Sequence, residues 1–94
     1  MFFYIYLLQS MGRDRLYIGY TENLRKRLEE HNRKHNRSTK AYAPWNLIHF
    51  EGYRNKEDAK RRERYLKTSQ GSRFLKRMLK EFFHSQKVEF ILPG

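Results

Sequence analysis

The chain has 94 residues, a net charge of +11 and a pI near 10.2. That length leaves room for one domain, residues 1–94, with a modest core and no second folded module. With 38% apolar and 16% aromatic residues it is no disordered chain, and with no cysteine it has neither disulfides nor thiolate metal sites, which suits a reducing, cytoplasmic setting.

The basic residues are spread over both halves rather than gathered in a tail. A folded body of this kind favours a polyanion, and nucleic acid before an anionic membrane, since no long amphipathic helix with a clean basic face stands out. The apolar start, Met1 to Leu8, is too short to span a bilayer and lacks the basic flank and small-residue cleavage site of a signal peptide.

Residues 3–9 are rich in aromatic and branched side chains and predict a strand; residues 15–20, Arg-Leu-Tyr-Ile-Gly-Tyr, predict a second. The polar loop between them contains Gly12 and Arg13, so the pair should form an antiparallel hairpin. Alternation puts Tyr4 and Tyr6 on one face, and Tyr17 and Gly19 on one face of the partner strand. If the register aligns those faces, Tyr6 and Tyr17 lie together and Gly19 leaves space for a ligand backbone.

A helix over 22–35 follows, with Thr21 or Asn23 as its cap. Its sheet-facing stripe is Leu24, Arg27, Leu28 and His31. Either Arg27 lies at the margin and snorkels to water, or Arg27 and His31 point over the tyrosine face. Residues 32–44 form a polar, basic loop. His31 and His35 have metal-pair spacing, but no carboxylate or cysteine joins them and Arg33 and Lys34 would repel a cation. The loop is either a solvated connector or a surface on which Thr39, Lys40 and Tyr42 meet phosphates.

Residues 45–53 predict a third strand, with Trp45, Leu47, His49, Glu51 and Tyr53 on one face and Ile48 and Phe50 on the other. Trp45 reads as core and His49 as a satisfied sheet histidine. Asn55 caps a helix over 56–67, with Asp58 at capping-box spacing. Its stripe is Ala59, Arg62, Glu63 and Leu66. Glu63 is then either half of a buried ion pair or a metal ligand, and Arg62 is solvated or turned to nucleic acid. Gly71 breaks the pattern, and Ser72 caps a third helix over 73–84 whose start, near Arg73, could hold a phosphate. Residues 85–94 form a short tail.

The stretch Tyr4-Ile5-Tyr6, then Tyr17-Ile18-Gly19, then Asn-Leu-x-x-Arg-Leu-x-x-His from Asn23 to His31, resembles the GIY-YIG nuclease family, in its small single-domain members. Tyr4 stands where the family name has glycine, and the asparagine of many members has no clear match after Glu63, with Ser69 or Gln70 as stand-ins. The resemblance implies an α+β fold of order β-β-α-β-α-α on a three-stranded antiparallel sheet, and a metal-dependent DNA endonuclease. It implies Tyr6 as the preferred base, Tyr17 as a supporting hydroxyl, Arg27 as the phosphate-neutralising group, His31 as its auxiliary and Glu63 as the ligand of Mg²⁺ or Mn²⁺. Arg13, Thr39, Lys40, Tyr42, Arg62 and Arg73 would contact DNA. A non-catalytic nucleic-acid-binding domain is the competing class, and a protein partner or homodimer would be needed for strong sequence specificity.

Overall fold

The computed structural model describes residues 1–13 and 15–91. Its elements are β1 (Phe3–Ser10), β2 (Leu16–Thr21), α1 (Leu24–Asn32), a 3₁₀ turn (Lys40–Tyr42), β3 (Trp45–Tyr53), α2 (Lys56–Leu66), α3 (Ser69–Met78) and α4 (Lys80–Ile91). The three strands form one antiparallel sheet in the order β2-β1-β3. The fold is therefore α+β, as the apolar runs and the turn between them predict, and strand pairing puts β1 at the centre.

The chain divides into two compact units, Met1–Arg64 and the residues from Tyr65 onward. The first holds the sheet, α1 and most of α2. Its sheet is buried on both faces. Register pairs Tyr6 with Gly19 and Leu8 with Tyr17, which puts these side chains on one face. Tyr6, Leu8 and Trp45 are buried there, and Leu24 and Leu28 of α1 pack against them. The opposite face carries Ile5 and Leu7, both buried, with Ile18 and Tyr20 of β2 beside them.

β3 departs from simple alternation. Leu47 faces Leu8 and His49 faces Leu7, so Ile48 is an extra residue, a β-bulge. One inserted residue reverses every side chain beyond it. Trp45 and Leu47 therefore share the face of Tyr6, whereas His49, Glu51 and Tyr53 lie on the other face and Phe50 returns to the tyrosine side. The single face expected for all five residues is corrected by this bulge. On the second face Arg62 of α2 grips Glu51 through Nε at 2.9 Å and Nη2 at 3.2 Å. His49 and the Tyr53 hydroxyl complete the Glu51 network at 3.1 and 2.8 Å. These donors hold the Glu51 carboxyl down at about 2, against its burial. Lys60 sits 4.3 Å from the Tyr20 ring centre on the same side.

Asn23 caps α1 by accepting from the Lys26 N–H at 3.0 Å, and Thr21 buttresses the cap by accepting from the Asn23 N–H at 3.1 Å. α1 ends at Asn32, earlier than residue 35. Asn55 accepts from the Glu57 N–H at 2.8 Å at the start of α2, while Asp58 pairs with Arg61 at 2.7 Å rather than closing a capping box.

In the second unit, two helices replace the single one expected over 73–84. α3 starts earlier, where Thr68 accepts from the Gly71 N–H at 3.0 Å, so Thr68 and not Ser72 is the cap. Gly71 lies inside the first turn and is buried. A Cβ there would overlap the Tyr65 carbonyl, so this position needs glycine for space rather than as a helix break. The chain stops being helical at Leu79, although no glycine or proline stands there, and α4 continues through residues expected to form a tail. Residues 92–94 of that tail lie outside the described residues.

Candidate active site

The site is built on three neighbours of the hairpin and α1. Tyr6 comes from β1, Tyr17 from β2, and His31 from the last turn of α1. The ring of His31 stands 5.8 Å from that of Tyr6 and 5.1 Å from that of Tyr17, edge-on to both, and the two tyrosine rings are 6.2 Å apart. His31 is fully buried. Its Nε2 shares a hydrogen bond of 2.9 Å with the Tyr6 hydroxyl, and its Nδ1 one of 2.7 Å with the Thr39 hydroxyl. Both ring nitrogens are thus engaged within the protein, which removes His31 from any pairing with His35. Burial, and then the Arg27 charge, push its pKa below the usual histidine value, so the ring is neutral at pH 7.

Tyr6 lies against Gly19. A Cβ at residue 19 would overlap the Tyr6 phenol. The space next to Gly19 is therefore filled by Tyr6 itself, and the expectation that it receives a ligand backbone is corrected. Burial pushes the Tyr6 phenol up to about 12, reinforced by Tyr17; hydrogen bonding from Arg27 and its charge pull the other way.

Arg27 lies one turn before His31 on α1, between the tyrosine cluster and water. Its Nε donates to Glu30 at 3.0 Å and its Nη1 reaches the Tyr20 carbonyl at 3.5 Å. Arg27 and Lys26 line an open cleft of about 270 Å³ with Tyr20, Thr21, Glu22, Asn23 and Glu30. The polar stripe of α1 thus turns His31 inward onto the tyrosines and leaves Arg27, its side chain 38% exposed, at the stripe's margin on the edge of the cleft.

Glu63 comes from the other layer. It stands on α2, over the face opposite Tyr6, and its side chain is 14% exposed with Lys60 at 3.7 Å. Its negative charge is felt by both Tyr6 and Tyr20, where it favours the protonated phenols. The structure thus brings Tyr6, Tyr17 and His31 together, with Arg27 beside Tyr6 and His31, while Glu63 acts on Tyr6 and Tyr20 through its charge alone.

The expected DNA contacts separate into two groups. Arg13, Lys40, Tyr42 and Arg73 are exposed. Thr39 is 1% exposed, so its hydroxyl serves His31 and not a phosphate. Arg62 has its guanidinium on Glu51 rather than turned outward. Arg15, which sequence reasoning passed over, lies 4.7 Å from the Tyr42 ring centre and donates to its hydroxyl at 3.2 Å. Sequence reasoning also missed the strap that closes the basic loop. The Asn32 side chain donates to the Trp45 carbonyl at 3.1 Å and accepts from the Trp45 N–H, while the Trp45 indole donates to the Thr39 carbonyl at 2.9 Å. Periodicity carries no trace of these partners, because they lie on different elements. Among the described residues no group of three or more His, Asp or Glu side chains is placed to enclose a metal, and no helix is long and apolar enough to cross a membrane.

A hairpin whose tyrosines meet an arginine and a histidine from the following helix defines a class, and the family comparison agrees with it. Residues 2–78 match the model of the GIY-YIG catalytic domain, and the chain belongs to that family. It is 38% identical over 65 residues to the UPF0213 protein CPE1444 of Clostridium perfringens, a match covering 68% of this chain and 69% of that protein. It is 45% identical over 58 residues to a UPF0213 protein of Pediococcus pentosaceus, covering 61% of this chain and 60% of that one. No solved structure matches.

Proposed function

We propose that this protein is a metal-dependent endonuclease that hydrolyses phosphodiester bonds in DNA. The observation that carries the reading is the hydrogen bond between Tyr6 and the buried His31, with Arg27 beside it at the mouth of a cleft. A polar chain of this kind inside a small core is more costly than an apolar one, and membership of a nuclease family gives it a use.

Hydrolysis needs a directed water, neutralisation of charge growing on the phosphate and a stabilised leaving oxygen. Arg27 neutralises phosphate oxygens at the cleft, where its fork can take two of them. Tyr6 directs the water and accepts its proton. For this the phenol must first lose its own, and at about 12 it is protonated in the free protein. Arg27 opposes the burial that keeps it so. Tyr17 packs beside Tyr6 and supports the same phenol. Glu63 is a single hard carboxylate, which fits Mg²⁺ or Mn²⁺ held largely by water and substrate oxygens. Bound there, such an ion would supply positive charge to the scissile phosphate. Arg13, Lys40 and Tyr42 then carry flanking phosphates, with Arg15 beside Tyr42.

The test is incubation with single-stranded, duplex and branched DNA, with Mg²⁺, Mn²⁺ or neither, read on a gel for the wild type and for Tyr6→Phe. Tyr6→Phe keeps the ring and removes the hydroxyl, at about 1 kcal/mol for one buried hydrogen bond. Metal-dependent cleavage by the wild type that Tyr6→Phe lacks supports the reading. Binding without cleavage in every condition makes the domain a non-catalytic nucleic-acid module.

A further inference from the structure

The sheet face that carries Tyr6 is covered along only part of its length. Leu24 and Leu28 of α1 pack against Tyr6, Leu8 and Trp45. Phe50 pairs with Tyr6 across β1 and β3, yet it is 52% exposed. The bulge at Ile48 puts it there: simple alternation from Trp45 and Leu47 would turn residue 50 to the opposite face. Tyr4 and Phe2 continue the same face past Tyr6, and Phe2 is exposed as well. The Tyr4 ring centre lies 6.1 Å from that of Phe50, edge-on, and 6.3 Å from that of Phe2, tilted. Neither pair is face to face, so the flat sides of these rings do not cover one another. Gly52 follows Phe50 on this face, and the Tyr4 and Phe2 rings lie against it: a Cβ there would stand 3.4 and 3.5 Å from them.

Positive charge stands at both ends of this strip. Arg54 lies 5.7 Å from the Phe2 ring centre. At the other end Tyr4 pairs with Thr21 of β2, and Thr21 lines the cleft that holds Lys26 and Arg27. Neighbouring strands are about 4.8 Å apart, so the strip begins one strand from the wall of the cleft. Glu51 of β3 points to the opposite face, where Arg62 holds it. Clustered exposed rings mark an interaction surface. Rings flanked by cations match a nucleic-acid strand, which alternates flat bases with phosphates. A second copy of this chain matches less well, because it would bring another Arg54 and another +11 to the same face.

We propose that Phe50, Tyr4 and Phe2 form a stacking platform for an unpaired base of the DNA strand whose phosphate is held at Arg27. The base lies on Phe50 and Tyr4, and the next phosphate meets Arg54. A base inside a duplex is already stacked and paired, and taking it out is unfavourable. It reaches the platform where the strand is open, at an end, a flap, a junction or a single strand. Every base has a flat face, so the platform selects the opening of the strand rather than its sequence. This deepens the nuclease reading, and rests on it only in making the phosphate at Arg27 the one that is cut.

The experiment uses the full chain in EDTA, where metal-dependent cleavage is off, and oligonucleotides carrying one 2-aminopurine, a base whose fluorescence falls when it stacks. The wild type should quench the probe in a single strand and leave it unchanged when it is paired in a duplex. Phe50→Leu keeps an apolar side chain and removes the ring, at a half-exposed position outside the buried core. It should lose most of the quenching and weaken single-strand binding about tenfold more than duplex binding, the scale of one lost base stack. Phe50→Tyr should restore both. Equal quenching by wild type and Phe50→Leu, or equal weakening of single-strand and duplex binding, overturns the platform. So does sedimentation that shows a wild-type dimer dissolved by Phe50→Leu with DNA binding unchanged, which makes this face a contact between copies. Adding Mg²⁺ or Mn²⁺ back separates the two readings. Ring-dependent quenching in a wild type that cuts no DNA supports the platform and overturns the nuclease reading; cleavage without such quenching overturns the platform alone.

Discussion

The phenol of Tyr6 occupies the space that a side chain at Gly19 would need. The two residues face each other across β1 and β2, and the glycine is what lets the tyrosine ring lie flat over the neighbouring strand and reach His31. The glycine of this strand thus acts through the hydroxyl of its partner rather than through its own backbone freedom.

Gly19→Ala tests that relationship. The added methyl overlaps the phenol, and the ring must swing away from His31. Overpacking of this kind costs about 1–3 kcal/mol. The expected result is a protein that still folds, with a lowered urea midpoint, and that cleaves DNA about a hundredfold more slowly, the scale of a lost proton-transfer group. Wild-type cleavage by this variant would show that the position of the phenol does not matter.

Glu63→Ala tests the metal role. Mg²⁺ or Mn²⁺ should raise the melting temperature of the wild type and leave that of the variant unchanged, since an ion stabilises only a fold that binds it. Cleavage should be lost. DNA binding should be equal or slightly tighter, because a negative charge has been removed from a basic surface. A metal-induced shift of the same size in both proteins would place the ion elsewhere.

Acid should destabilise the protein in two separate windows. His31 has a folded-state pKa below its ordinary value of 6.5, because of burial and then Arg27. The unfolded chain then binds the proton first, so this contribution is fully present above pH 6.5 and is lost as pH falls from there toward the lower folded value. Glu51 falls from its ordinary 4.5 to about 2 in the fold, so its contribution is present above pH 4.5 and lost between 4.5 and about 2. Urea titrations at a series of pH values should show both losses. His31→Gln should remove the first and Glu51→Gln the second. A stability flat from pH 7 to 5 in the wild type would contradict the buried neutral histidine.

DNA binding should weaken steeply with salt. With a net charge of +11, the attraction comes mainly from release of counterions, and log K should fall linearly with log salt. Lys40→Ala and Arg15→Ala should each reduce the slope by about 1, the value for one phosphate contact. Arg62→Ala should leave the slope unchanged and lower stability, because its guanidinium is on Glu51. Fluorescence anisotropy across a salt series measures all three.

Much of the frame was legible in the residues alone. The hairpin follows from two short aromatic runs around a polar turn, and α1 and α2 from their stripes and from Asn23 and Asn55 at their starts. These are local signals, because a strand repeats every two residues and a helix every 3.6 wherever it lies in the fold. The same stripes exposed Arg27, His31 and Glu63 as polar groups at positions where apolar ones would pack.

What the tertiary structure decided is which of those groups meet. The bulge at Ile48 turned His49, Glu51 and Tyr53 away from Trp45, because one extra residue in β3 reverses the faces and only pairing with β1 reveals it. Arg62 became an internal partner of Glu51, and Glu63 was placed on the helix that carries Arg62, with Lys60 beside it. Thr39 became the second partner of His31, across eight residues of loop that carry no period. Local patterning shows which side chains leave an element in the same direction. It says nothing of what stands on the far side, which depends on register, on loop closure and on how the layers stack.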